Sequence, residues 1–128
     1  MTDMLQQASD WLEAKRTQYA SRVVVYTRGV QSVELPATIG KTTFEVDDGC
    51  GVLVRHQSRD FLILAADLIF SGQLEQPQRG DRIRETQNHD VFVYEVSAPG
   101  QEPCWRFSDP FRKTFRIHTK EIAQEPLP

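Results

Sequence analysis

The spacing of apolar positions changes once along the chain. Over residues 3–20, Met4, Leu5, Ala8, Trp11, Leu12 and Tyr19 recur at intervals of three, four and seven, which predicts an amphipathic helix. Asp3 with Gln6 gives a capping pattern at its start, and Lys15 and Arg16 suit the negative end of its dipole. The apolar stripe has two uses open to it: packing on its own domain, or docking on another subunit.

From Arg22 onward the period is that of strands. Arg22–Arg28 is rich in β-branched residues, and Val33–Ile39 and Thr42–Val46 follow, broken by Gly29 and Gly40. Cys50–His56 and Asp60–Ala65 read as a hairpin turning at Gln57-Ser58-Arg59. In the second of these runs Phe61 and Ile63 point one way and Leu62 and Leu64 the other, which predicts a strand covered on both faces. Arg82–Glu85, Val91–Val96, Cys104–Phe107 and Thr114–Thr119 complete the set. Short strands with frequent turn signals predict a mainly β fold, a small antiparallel β-barrel or sandwich with one N-terminal α-helix. The expected division is residues 1–21 as the helix, 22–122 as the β domain and 123–128 as a flexible tail. Phe61, Ile63, Val93 and Val96 are the expected core.

Composition narrows the function classes. At 128 residues one domain with a real core is expected. The net charge of −3 argues against gripping nucleic acid by bulk charge. No apolar run approaches the ~20 residues that span a bilayer, and MTDMLQQASDW lacks the basic-then-apolar order of a signal peptide. Two cysteines are too few for a disulfide-stapled fold. The expectation is a protein made in a reducing, intracellular setting.

Several motifs mimic known chemistry. Gly40-Lys41-Thr42 resembles the end of a phosphate loop, but Leu35 stands where the first glycine belongs and a strand follows, not a helix. Arg79-Gly80-Asp81 spells an adhesion tripeptide and reads as a turn into the strand at Ile83. Cys50, His56, Cys104 and His118 lack the tight pairs of a structural zinc site, and the two cysteines read as small residues in or near the core. Cys104, His118 and Asp109 could be written as a triad, but no nucleophile elbow or oxyanion loop accompanies them. Asp47-Asp48 before Gly49 reads as a turn. No catalytic residue, metal or cofactor is expected.

The segment Trp105–Lys113 interleaves aromatic rings with cations around Pro110. It has three readings: a stacking surface for single-stranded nucleic acid, a protein-contact loop, or a loop whose Trp105 and Phe107 face the core while its cations are solvated.

The order of elements resembles that of lambda-type phage head–tail joining and neck proteins. The residues that carry the resemblance are Phe61-Leu62-Ile63-Leu64, Asp67-Leu68, Pro77, Gly80-Asp81-Arg82-Ile83 and Tyr94-Glu95-Val96. The chain also resembles uncharacterised prophage-encoded proteins through RDFLILAADL, RGDRI, EPCWRFSDP and RIHTK. The resemblance implies a structural assembly protein without catalytic residues. Such a protein works as a ring of its own copies between the head connector and the tail tube or terminator. It implies a life in the cytoplasm of a bacterial host and, for an active phage, in the virion. Trp11, Trp105, Phe111, Arg112 and Lys113 are the candidate protein contacts. The N-terminal helix, the loop Ser71–Gln78 and the segment Pro103–Lys113 are the candidate surfaces. The alternative is a monomeric β-barrel binding module, with single-stranded nucleic acid among the ligands open to it.

Overall fold

The structure, a computed structural model, describes residues 21–47, 49–98, 100 and 102–127, with the backbone alone at Val46. The expected N-terminal helix, and Trp11 with it, lie outside the described residues.

Among the described residues nine strands follow in order: β1 (Ser21–Arg28), β2 (Gln31–Asp47), β3 (Leu53–Leu64), β4 (Ile69–Phe70), β5 (Gln73–Leu74), β6 (Arg82–Gln87), β7 (Asp90–Val96), β8 (Trp105–Phe107) and β9 (Thr114–Pro126). A 3-10 turn, Ala65–Asp67, links β3 to β4. The fold is mainly β and antiparallel, as the period-2 pattern predicts. The main sheet runs β3-β2-β1-β6-β7-β9-β8, and β9 also pairs back with β3. The first half of β9 pairs with β3 from Thr114 to Thr119, and its second half pairs with β7 from Thr119 to Pro126. One long strand thereby ties both ends of the sheet together.

The alternation of β1 shows why the core forms. Val24 and Tyr26 are buried, while Val23 lies on the open side. Val24 sits opposite Leu35, and Tyr26 opposite Ile83 of β6. These side chains join Phe61, Ile63, Val96, Phe115 and Ile117 in one apolar cluster. Phe61 and Ile63 are wholly buried, and Val93 and Val96 are buried as expected. Leu62, on the opposite face of β3, is also buried, so the strand is covered on both faces there.

Three expected boundaries are corrected. Gln57-Ser58-Arg59 is not a turn: β3 runs unbroken through it, paired with Thr43, Thr42 and Lys41 of β2. The real reversal is the Asp47–Val52 segment, where Gly49 and Gly51 hold positive φ. Gly40 does not break β2, which is continuous over 17 residues. Finally, residues 123–126 are not a flexible tail. They are the end of β9, paired with β7, and the Leu127 amide donates to the His89 carbonyl at 2.9 Å. Polar, exposed sequence concealed this pairing, because a strand with a solvated face needs no apolar run.

Candidate functional site

β2 and β3 outrun the rest of the sheet. Among the described residues, the β1 partner of β2 ends at Thr38, and β3 has its β9 partner only from Arg59 onward. Between Thr42↔Ser58 and Asp47↔Leu53 the two strands, among the described residues, pair only with each other. At about 3.3 Å per residue this ribbon projects roughly 17 Å, with a turn beyond it. Leu53–Gln57 are all exposed, and Val52, Leu53 and Val54 put large apolar side chains in solvent at the tip.

The root of this arm is built around one buried acid. Asp60 has no exposure to solvent. It accepts from the Ser58 hydroxyl at 2.6 Å and from the Thr42 hydroxyl, both on the arm. Arg116 Nε donates to it at 2.8 Å, and His118 Nδ1 lies 2.9 Å away, both from β9. Burial alone would raise the pKa of this carboxyl. The hydrogen bonds from His118, Ser58 and Thr42, with the charge of His118, outweigh it and hold the pKa at about 2. Asp60 is therefore ionised at any physiological pH. The ring of Phe44 stands edge-on to His118 at 5.3 Å, so arm and sheet also share an apolar contact.

Gly40 belongs to the same joint. A Cβ there would lie 3.2 Å from Arg116 Nη2 and 3.2 Å from Leu62 Cδ1. The missing side chain is the space through which the guanidinium crosses β2 and donates to the Lys41 carbonyl at 3.1 Å. On the other face Arg59 donates from Nη2 to both oxygens of buried Glu85 at 2.7 Å, and its guanidinium lies over the Tyr94 ring at 5.2 Å. A hollow of about 510 Å³ opens here, lined by Ile39, Gly40, Lys41, Gln57, Ser58 and Arg59.

The opposite end of the sheet carries the turns. The Arg79-Gly80-Asp81 turn is locked from inside: Asp81 is buried and accepts from Tyr26 Oη, from Arg28 Nε at 3.0 Å and Nη2 at 2.9 Å, and from the Gln78 amide at 2.9 Å. Burial, then the bond to Asp81, pushes the Tyr26 hydroxyl far above its usual range. An adhesion reading would need Asp81 exposed. The loop Ser71–Gln78, expected to be long enough to reach a neighbour, is instead pinned. Ser71-Gly72 closes the β4–β5 hairpin, and the Gln76 carbonyl and the Glu75 carboxylate both accept from Arg28.

The candidate contact residues separate. Trp105 and Phe107 are half-buried and pack on Phe115, Trp105 edge-on at 5.0 Å and Phe107 stacked at 5.4 Å. Their rings therefore support the core. Asp109 folds the following turn by accepting from the amides of Phe111, Lys113 and Thr114. That turn leaves Phe111 half-buried and Arg112 exposed, the latter at φ 58°. Lys113 is half-buried, its carbonyl accepting from Ala65.

The paper triad is not assembled: Asp109 is spent on backbone amides, and His118 turns to Asp60. Burial pushes the Cys104 thiol up, away from the thiolate a nucleophile needs. Cys50, expected in or near the core, is exposed on the arm, whereas Cys104 packs against the core. Among the described residues no three His, Cys, Asp or Glu side chains gather as a metal site, and no helix is long and apolar enough to cross a membrane. Sequence reasoning missed the arm and the Asp60 joint. The available signal was a run of mixed polar and apolar residues on both sides of Asp47–Val52, with paired glycines between.

The described residues form a β domain with a projecting two-stranded arm. The chain matches the phage head-tail joining protein family over residues 2–126 and belongs to that family. Membership makes it a structural protein of phage assembly, with partners among other phage structural proteins and a place in the virion. The curated proteins contain no match to the chain.

Proposed function

We propose that the protein joins the head connector to the tail as one unit of an oligomeric ring, without catalysis. The observation that carries this reading is the β2–β3 arm. A ribbon whose two strands, among the described residues, pair only with each other, and which carries apolar residues at its tip, is a liability in a free monomer and an asset in an assembly. The body from which it projects is read as a small barrel, because the pairings run from β3 around to β9 and back to β3. Ring contacts would come from the arm and from the turn bearing Phe111, Arg112 and Lys113, with Trp105 bracing that turn from below. Trp11 is a further contact candidate. Assembly would take place in the bacterial cytoplasm before the particle is complete.

The test is made in the particle. Deleting the gene, or replacing Glu45–Arg55 by a two-residue turn, should give filled heads and separate tails. Changing Phe111 and Arg112 to Ala should reduce joining without unfolding the domain. Normal infectious particles from the deletion would rule the role out.

A further inference from the structure

The sheet at the arm root is buried on its outer face as well as on its core face. Along β1, β2, β3 and β9 one set of alternate residues, Val24, Leu35, Phe61 and Ile117 among them, enters the apolar cluster. The other set points away from it. Ser21, Thr38, Leu62 and Arg116 stand opposite one another in turn and form one row on that outer face. The next row toward the arm holds Gly40, Asp60 and His118. Asp60 has no exposure, and Leu62 is 8% exposed, both within a single chain. Val23, on the same face of β1, is 67% exposed. An apolar side chain on this face is therefore open to water at β1 and withdrawn from it at β3. Asp60 and His118 hold each other, with Thr42, Ser58, Arg116 and the Phe44 ring around them. Leu62 has no comparable set of partners. Its row neighbours Thr38 and Arg116 are polar, and it stands outside the core cluster.

We infer that the apolar stripe of residues 3–20 covers this outer face of its own chain, with Leu62 as its seat. The occupant follows from connectivity. β1 starts at Ser21, in the Leu62 row and two strands from it, about 10 Å at the usual strand spacing. The segment before Ser21 therefore enters at the edge of the buried area. Residues 3–20 as a helix would run about 27 Å, enough to cross β2, β3 and β9. At about 100° per residue Leu5, Ala8, Leu12 and Tyr19 fall together along the middle of the stripe, and Met4 and Trp11 flank them. An amphipathic helix needs an apolar seat for such a stripe, and Leu62 offers one in the row where the chain enters the sheet. The other end of the chain is committed elsewhere: residues 123–126 pair with β7, and the Leu127 amide donates to the His89 carbonyl. Docked on Leu62, the segment lies against the strands that carry Thr42, Asp60 and His118, and it braces the root from which the arm projects.

Photo-crosslinking on the full chain tests this. With p-benzoylphenylalanine in place of Leu12, illumination should link position 12 to residues 38–42, 60–64 or 114–118 of the same chain, mapped by mass spectrometry of the monomer band. Links between two chains would mean that the stripe docks on a second copy. Links to other segments, or none, would mean that it packs elsewhere or stays free. Each of these outcomes overturns the inference. A double-mutant cycle gives an independent reading. Leu12→Ala and Leu62→Ala should each lower the midpoint of urea unfolding, and the double variant should fall short of the sum of the two shifts. Leu12→Ala with Val23→Ala should be additive, because Val23 lies on the open part of the face. If Leu62→Ala does not fold, Leu62→Val serves in its place. Strict additivity of the position 12 and position 62 changes would overturn the inference. Neither measurement depends on particle formation, so the joining role is tested separately.

Discussion

Asp60 and His118 face each other across the β3–β9 ladder with Oδ1 and Nδ1 2.9 Å apart, and both are buried. The pair sits where the arm leaves the sheet, so one ionised group decides how the arm is held. Its carboxyl, at about 2, lies below the ~3.9 of an unfolded aspartate. A depressed carboxylate stabilises the fold above the unfolded value and loses that contribution as pH falls through the folded one. The contribution is about 2–3 kcal/mol, present at neutral pH and lost between roughly pH 4 and pH 2. Acid unfolding followed by circular dichroism should show this loss, and Asp60→Asn should lower stability at neutral pH and flatten the acid step. An unchanged acid profile in Asp60→Asn would refute it.

Gly40→Val should loosen the joint by a different route. The new side chain enters space held by Arg116 and Leu62, and overpacking of this kind costs roughly 1–3 kcal/mol. Denaturant unfolding gives the cost. Limited proteolysis should show faster cleavage on the arm than in the parent protein. Equal stability and equal cleavage would mean that the guanidinium does not need this passage.

Ile63→Asp should unfold the domain. Ile63 is wholly buried in the central cluster, and an unpaired carboxylate there costs several kcal/mol against a total stability of about 5–15 kcal/mol. A soluble, cooperatively melting variant would contradict the assigned core.

Tyr26→Phe and Asp81→Ala should differ in size. Removing the phenol hydroxyl leaves Asp81 with Arg28 and the Gln78 amide, so the loss is about 1 kcal/mol. Removing the carboxylate strands the Tyr26 hydroxyl and the Arg28 guanidinium together, and the loss is on the order of 2 kcal/mol or more. Thermal melts of both variants order them; the reverse order would show that the turn is held by something else.

The two cysteines should separate by reactivity. Cys50 lies exposed on the arm and Cys104 packs against the core, its thiol pushed up by burial. Alkylation of the native protein should modify Cys50 first, and Cys50→Ser should leave stability unchanged within about 0.5 kcal/mol. Preferential modification of Cys104 would invert the assignment.

Much of the body was legible one segment at a time. The β-branched run at Val23–Val25, the alternation around Phe61 and Ile63, and the Gly80-Asp81 turn each state their local structure through side chain or backbone preference. The arm was not legible, because Leu53–Gln57 are exposed throughout and polar residues at Gln57-Ser58-Arg59 look the same in a strand as in a turn. The end of β9 was hidden for the same reason.

The sequence by itself determined the antiparallel β class, the apolar identity of the core strands and the resemblance to head–tail joining proteins, all of which rest on local period or short motifs. Only the tertiary structure decided that β9 pairs with both β3 and β7, that Trp105 and Phe107 brace Phe115, and that Asp60 is buried among Thr42, Ser58, Arg116 and His118. The reason is physical. An aspartate between an arginine and an apolar run, as Asp60 is, is stable in water or in a pocket of donors. Ser58 is local, but Thr42, Arg116 and His118 come from positions 18, 56 and 58 residues away, so only the folded chain brings them together.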